Sequence, residues 1–160
     1  MKPLNEITIL LRSIEEGYRK KAWHGPNLRG SIRGLTAEEA SWRFERNRHN
    51  IWEIVVHCAY WKYVVRRRIL GERKGSFPLK GSNWFTRPDH KQSHELWRQD
   101  IVLLENMHNK MVETIAELDA SVLNKYLPGG KVTYRTIITG IAAHDVYHAG
   151  QIQLLKKLMT

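Results

Sequence analysis

Apolar residues recur three and four positions apart in four long stretches of the chain, which is the spacing of one helical face. The first stretch runs from about Pro3 to Lys20. Its stripe is Leu4, Ile7, Leu11, Ile14 and Tyr18, and Pro3 suits a first helical turn. A polar, glycine-containing connector follows, through Gly25-Pro26 and Gly30 to Gly34. Within it Thr36-Ala37-Glu38-Glu39 reads as a capping box and predicts a short helix. The second stretch, about Asn50 to Leu70, carries Ile51, Ile54, His57, Trp61 and Val64, flanked by Val55, Cys58 and Val65. Gly71 is its expected stop. A connector from Glu72 to Pro88 holds Pro78, Gly81 and the pair Trp84-Phe85.

The third stretch begins after Asp89, with Gln92 as capping partner. Its stripe is Leu96, Leu103/Leu104, Met107, Met111, Ile115 and Leu118. Asp119 to Leu127 reads as a short helical turn or loop, and Pro128-Gly129-Gly130 is a break. The fourth stretch runs from Thr133, a good N-cap residue, to Leu158, with Ile137, Ile141, His144, His148, Ile152 and Leu155. Strand signals are nearly absent. Four amphipathic helices bury their stripes against each other, so the expected fold is all-α: a four-helix bundle with long crossover connections. The connectors after the first and second long helices are long enough to cross the bundle. No composition shift marks a boundary, so residues 1–160 are expected to form a single domain.

Histidine interrupts two of the four stripes. His144 and His148 are four apart, about 40° around the helix axis, so both imidazoles can reach one point. His57 holds the same kind of position on the second long helix. Spacing alone is weak evidence. His90 and His94 share it, but they lie in the polar run Asp89-His90-Lys91-Gln92-Ser93-His94-Glu95 and read as surface. The apolar row is what sets His57, His144 and His148 apart.

A buried polar group without a partner costs about 1–3 kcal/mol, against a total stability of only about 5–15 kcal/mol. One divalent metal would satisfy three imidazoles at once. Three neutral histidines with an open fourth position form the ligand set of a catalytic zinc-type site, and nickel, iron(II), copper or manganese also accept imidazole. The alternative is three core histidines, each bonded to a neighbouring carbonyl or side chain. Both readings stand at this level. Glu53, four residues before His57, and Gln151, seven after His144, are candidates to orient the ligands, or else ordinary helix-surface polar residues. Asp145 and Tyr147 adjoin the ligands, though Asp145 points about 100° away. Cys58 reads as a small core residue.

Composition changes this picture little. With 160 residues, 42% hydrophobic and 26% charged, the chain is neither low-complexity nor wholly disordered. One cysteine excludes a disulfide framework and any multi-cysteine zinc module. No apolar run reaches the ~18 residues of a membrane span, and Met1 to Glu6 interrupts a signal-peptide core, so a cytoplasmic setting and no membrane partner are expected. The net charge of +10 fits nucleic acid, an anionic membrane, an anionic substrate or a solvated surface. The densest block, Lys62, Arg66, Arg67, Arg68, Arg73 and Lys74, falls at a helix end and reads as solvated surface. There is no G-x-S-x-G motif, and Gly129 to Thr133 is not a P-loop because position 125 is Lys. The six tryptophans read mostly as core or cap residues.

Two segments carry a family likeness. His49-Asn50-Ile51-Trp52-Glu53-Ile54-Val55-Val56-His57-Cys58-Ala59-Tyr60-Trp61 strongly resembles the second helix of DinB-like (DinB/YfiT-like) proteins. Gly140-Ile141-Ala142-Ala143-His144-Asp145-Val146-Tyr147-His148-Ala149-Gly150-Gln151-Ile152 resembles the fourth. The resemblance covers nearly the whole chain, including the connector with Trp84. It implies a four-helix bundle, often a homodimer, with one divalent metal on three histidines that map onto His57, His144 and His148. Relatives include thiol-dependent S-transferases and a mycothiol-dependent isomerase. The resulting expectation is a metal-dependent enzyme, S-transferase-like or hydrolase-like, holding zinc or nickel, with iron or manganese as alternatives. Its substrate would be a small molecule, such as a low-molecular-weight thiol. The competing expectation is a non-catalytic metal-stabilised scaffold or a basic nucleic-acid binder. The scatter of basic residues and the lack of a recognition-helix pattern count against nucleic acid.

Overall fold

The structure, a computed structural model, describes residues 5–88 and 93–159. It is all-α: α1 (Glu6–Tyr18), α2 (Leu28–Ser31), α3 (Ala37–Ser41), α4 (Ile51–Leu70), α5 (His94–Ala116) and α6 (Tyr134–Leu158). A 3₁₀ turn, Ala120–Val122, falls in the segment read as a turn. Among the described residues there is no strand, only two isolated bridges.

The ends are set by local chemistry. Asn5 accepts from the Ile7 amide at the start of α1, while Pro3 and Leu4 lie outside the described residues. The expected capping box closes α3, with Thr36 and Glu39 bonded reciprocally. Asn50 and Glu53 form a second box at the start of α4, and Gly71 ends that helix in the left-handed conformation at φ 68°. Thr133 caps α6. The cap expected from Asp89 and Gln92 lies outside the described residues; α5 begins at His94, and His94 is exposed as expected.

The long helices pack α4 against α5 and α6, and α1 against α6 and α5. Their directions follow from which ends meet. Near the starts of α4 and α5, Trp52 donates to Asp100 at 2.6 Å and stands edge-on to Trp97. Near their ends, Val65 and Ile69 share a cluster with Met111 and Ile115. Those two helices are therefore parallel, and the connector between them must travel back along α4, a length of about 30 Å. It does so in steps. The Ser76 amide donates to Tyr63, Asn83 meets Trp61 and His57, and Arg87 reaches Asp100. This crossover, the one expected after the second long helix, lays Asn83 and Trp84 over the middle of α4. That placement builds the site.

The stripes are wider than periodicity implies. α4 is buried nearly all round, including Glu53, His57 and Lys62. On α5 the buried face includes the polar Asp100 and His108. On α6 it runs through Ile138, Ala142, Asp145, Ala149 and Ile152, so His144 stands at its edge, half-buried. The α1–α6 crossing is close because residue 17 is glycine. A Cβ there would sit 3.0 Å from the Ala142 carbonyl oxygen.

Candidate metal centre and its cavity

Three imidazoles from two antiparallel helices meet between α4 and α6. His144 Nε2 lies 3.1 Å from His57 Nε2 and 3.1 Å from His148 Nε2. The opposite faces of two rings are already engaged. His57 Nδ1 donates to the Asn83 carbonyl at 2.8 Å, and His148 Nδ1 to the Gln151 amide oxygen at 2.7 Å. A carbonyl oxygen only accepts, so each Nδ1 carries the proton and each Nε2 presents a bare lone pair.

Two bare nitrogens flank a third, and a single N–H on His144 could serve only one of them well. His144 Nδ1 is itself buried without a partner. The arrangement suits a shared cation. At metal–nitrogen bonds of about 2.0–2.1 Å, tetrahedral ligands stand about 3.3 Å apart, close to the spacing here. The group His57, His144, His148 could hold a metal ion.

Electrostatics agree with that donor set. Burial, then the neighbouring His148 and His57, pushes His144 down to about 3. Burial, then His57, pushes His148 down to about 4. Burial also lowers His57, against the opposing bond from Asn83. All three rings are neutral near pH 7, the form in which imidazole binds metal.

Asn83 reaches its position through strain. It is the one non-glycine residue with positive φ among the described residues, at 64°. Its carbonyl holds His57 while its side chain accepts from Trp61 Nε1 at 2.9 Å. The next residue, Trp84, stacks on His57 at 3.9 Å and 9°. On Trp84 stacks His49, at 3.6 Å and 5°. The Gln151 amide is fixed in turn, donating to the Tyr147 hydroxyl at 3.0 Å.

The imidazoles open onto a cavity of about 760 Å³, within the size range of small-molecule sites. Its walls are mostly apolar: Ile54, Trp61, Trp84 and Leu155 are buried or half-buried, and Phe44, Leu154 and Leu158 are exposed. Among the described residues, Arg48 is the only fully charged one lining it, and no carboxylate does.

The two residues expected to orient the ligands part company. Gln151 bonds His148 directly. Glu53 turns the other way and accepts from both arms of the Arg43 guanidinium, at 2.9 and 3.0 Å. It also meets His49 Nδ1 at 3.1 Å. Burial alone would raise the Glu53 carboxyl, but Arg43 and His49 outweigh it and hold it below its ordinary range.

Lys62 corrects the reading of the basic block. It is wholly buried rather than solvated, and it bonds Asp145, also wholly buried, beneath the three imidazoles. Its ammonium sits 4.8 Å from the centre of the Tyr18 ring. The 100° that turns Asp145 away from the ligand face points it at this partner. Cys58, His144 and Asp145 also cluster. There, however, Lys62 already occupies the carboxylate, and burial and then Asp145 keep the Cys58 thiol protonated. We read that group as polar interior supporting α6.

Helices without strands, joined by a parallel crossover and carrying three facing imidazoles, define a class of helical proteins able to hold a metal. The family model for the DinB superfamily matches residues 22–152, and the chain belongs to that superfamily. No curated protein matches the chain, and no solved structure does. Among the described residues, no helix is long and apolar enough to cross a membrane.

Proposed function

We propose that this protein is a metal-dependent enzyme acting on a small molecule, with His57, His144 and His148 as the ligands of one divalent ion. The observation that carries the reading is the convergence of three Nε2 atoms, two with their protons committed elsewhere, in the wall of a cavity large enough for a substrate. A scaffold ion needs no such opening. Zinc or nickel suits an all-imidazole set, and iron or manganese is the alternative.

When bound, such an ion supplies positive charge that favours the deprotonated form of a thiol or water nucleophile. The chain's own residues do the rest. Asn83 and Gln151 hold two imidazoles in the tautomer that aims Nε2 inward. Trp61, Trp84 and Leu155 exclude water around the reacting groups, and Arg48 at the cavity lining favours an anionic substrate. The reaction is transfer of a low-molecular-weight thiol to an electrophile, or hydrolysis of one.

The test starts from untagged protein. Its metal content is measured, and transfer from several thiols to an electrophilic acceptor is then assayed with and without metal. Turnover that requires metal and disappears in His148→Ala supports the reading. Equal rates with and without metal overturn it.

A further inference from the structure

One histidine at the cavity remains outside the metal group, and it is held as a proton carrier would be. His49 lines the cavity, and its side chain is 48% exposed. Its Nδ1 faces the Glu53 carboxylate at 3.1 Å. Glu53 is itself only 7% exposed and is fixed by two bonds from Arg43 and by the Asn50 amide. The ring lies flat on Trp84, whose indole also stacks on His57. The two histidines therefore stand no farther apart than the combined spacings of 3.6 and 3.9 Å. His49 Nε2 has no protein partner among the described residues. A carboxylate on one ring nitrogen fixes the tautomer and stabilises the imidazolium, leaving the other nitrogen to exchange protons with a substrate.

We infer that His49, oriented by Glu53, is the general base and acid of the reaction in this cavity; the inference rests on the reading of the cavity as catalytic. His49 Nε2 takes the proton from the S–H or O–H of the nucleophile. An N–H bond forms as that bond breaks, and the electron pair stays on sulfur or oxygen. That pair forms the new bond to the electrophilic carbon. The leaving group departs with its own bonding pair; the proton on Nε2 passes to it when it is an alkoxide or thiolate and to water when it is a halide, so His49 ends neutral and nothing is oxidised or reduced. Glu53 acts through His49 and is a positioning residue. Among the described residues, the other titratable or charged groups around His49 are Arg43 behind Glu53, Arg48 next to it in the chain, and His57, His144, Tyr147 and His148, which line the same cavity.

His49→Phe keeps a flat ring against Trp84 and removes both nitrogens, so a role limited to stacking would survive it. The variant is compared with wild type for metal content, melting temperature and the pH profile of kcat. Two probe reactions are used, hydrolysis of an activated aryl ester and transfer of cysteine to an aryl halide. Long-range ¹⁵N–¹H NMR of the wild type reads the tautomer directly. The expected results are an Nδ1–H tautomer and unchanged metal content and melting temperature. The variant should also lose about 10²-fold or more in kcat, with a pH profile that differs from the wild type's. An Nε2–H tautomer overturns the inference, as does a His49→Phe variant with the wild-type rate and profile. Those results leave the metal enzyme standing. A wild type with no metal-stimulated turnover of either probe instead removes the catalytic reading, and this inference with it.

Discussion

Replacing Lys62 by Met strips the one cation from a carboxylate that has no access to water. Asp145 is fully buried, and its Oδ1 already lacks a partner. Breaking a buried pair from one side costs about 3–5 kcal/mol, because the remaining charge is uncompensated. For a chain of this size that is a fall of about 6–20 °C in Tm, at 2–4 °C per kcal/mol. The penalty also has a pH signature. Burial raises the Asp145 carboxyl, and Lys62 opposes that shift. Without Lys62 that opposition is gone, so the folded chain holds this proton to higher pH than the unfolded chain, which releases it near 3.9. Stability is then lost as pH rises from the unfolded value toward the folded one, so the deficit grows between pH 5 and pH 8. Urea melts of Lys62→Met, Asp145→Leu and the double variant at those two pH values supply the cycle. The double variant, with neither charge, should recover most of the loss. A Lys62→Met deficit below about 1 kcal/mol, the size of an exposed pair, would refute the argument, as would a deficit that shrinks with pH.

Acid should destabilise the metal-free protein through His108, which is fully buried and stacked on Tyr18 at 3.7 Å. Burial, then Lys62, pushes it down to about 3. The unfolded histidine takes a proton near 6.5, so this stability is complete above that pH and is lost on the way down to about 3, at up to about 1.4 kcal/mol per pH unit. Urea melts of His108→Gln across that window should show a flatter dependence. Gln151→Leu removes the acceptor from His148 Nδ1 and should weaken zinc affinity about 10–100-fold, by competition with a chromophoric chelator, with little change in fold. At position 83, Gly accepts positive φ and keeps the carbonyl, whereas Ala adds strain of about 1–3 kcal/mol. Asn83→Gly should therefore hold zinc better than Asn83→Ala.

The long helices and the three histidines were legible because both depend on a 3.6-residue period. Ile, Leu and Val mark the buried faces, and a histidine breaking such a row stands out. Lys62 was not legible, since one cation beside Arg66, Arg67 and Arg68 looks like the rest of a helix end. Only the tertiary meeting with Asp145 makes it interior. Its spacing to Tyr63 and Val65, in a helix buried on nearly every side, was the available hint. Asn83 and Trp84 belong to a connector with no period at all. Their roles arise from the parallel run of α4 and α5, which forces the chain back across His57. Glu53 has the right spacing to approach His57, yet its capping of α4 and its pairing with Arg43 direct it to His49 instead.

Zinc titration of chelator-stripped, untagged protein tests the metal centre most directly. We predict saturable binding of one ion per chain, with proton release small at pH 7 because the imidazoles are already neutral. That binding should be lost separately in His57→Ala, His144→Ala and His148→Ala. A wild type that binds no zinc or nickel, or three variants that bind as tightly as wild type, would contradict it.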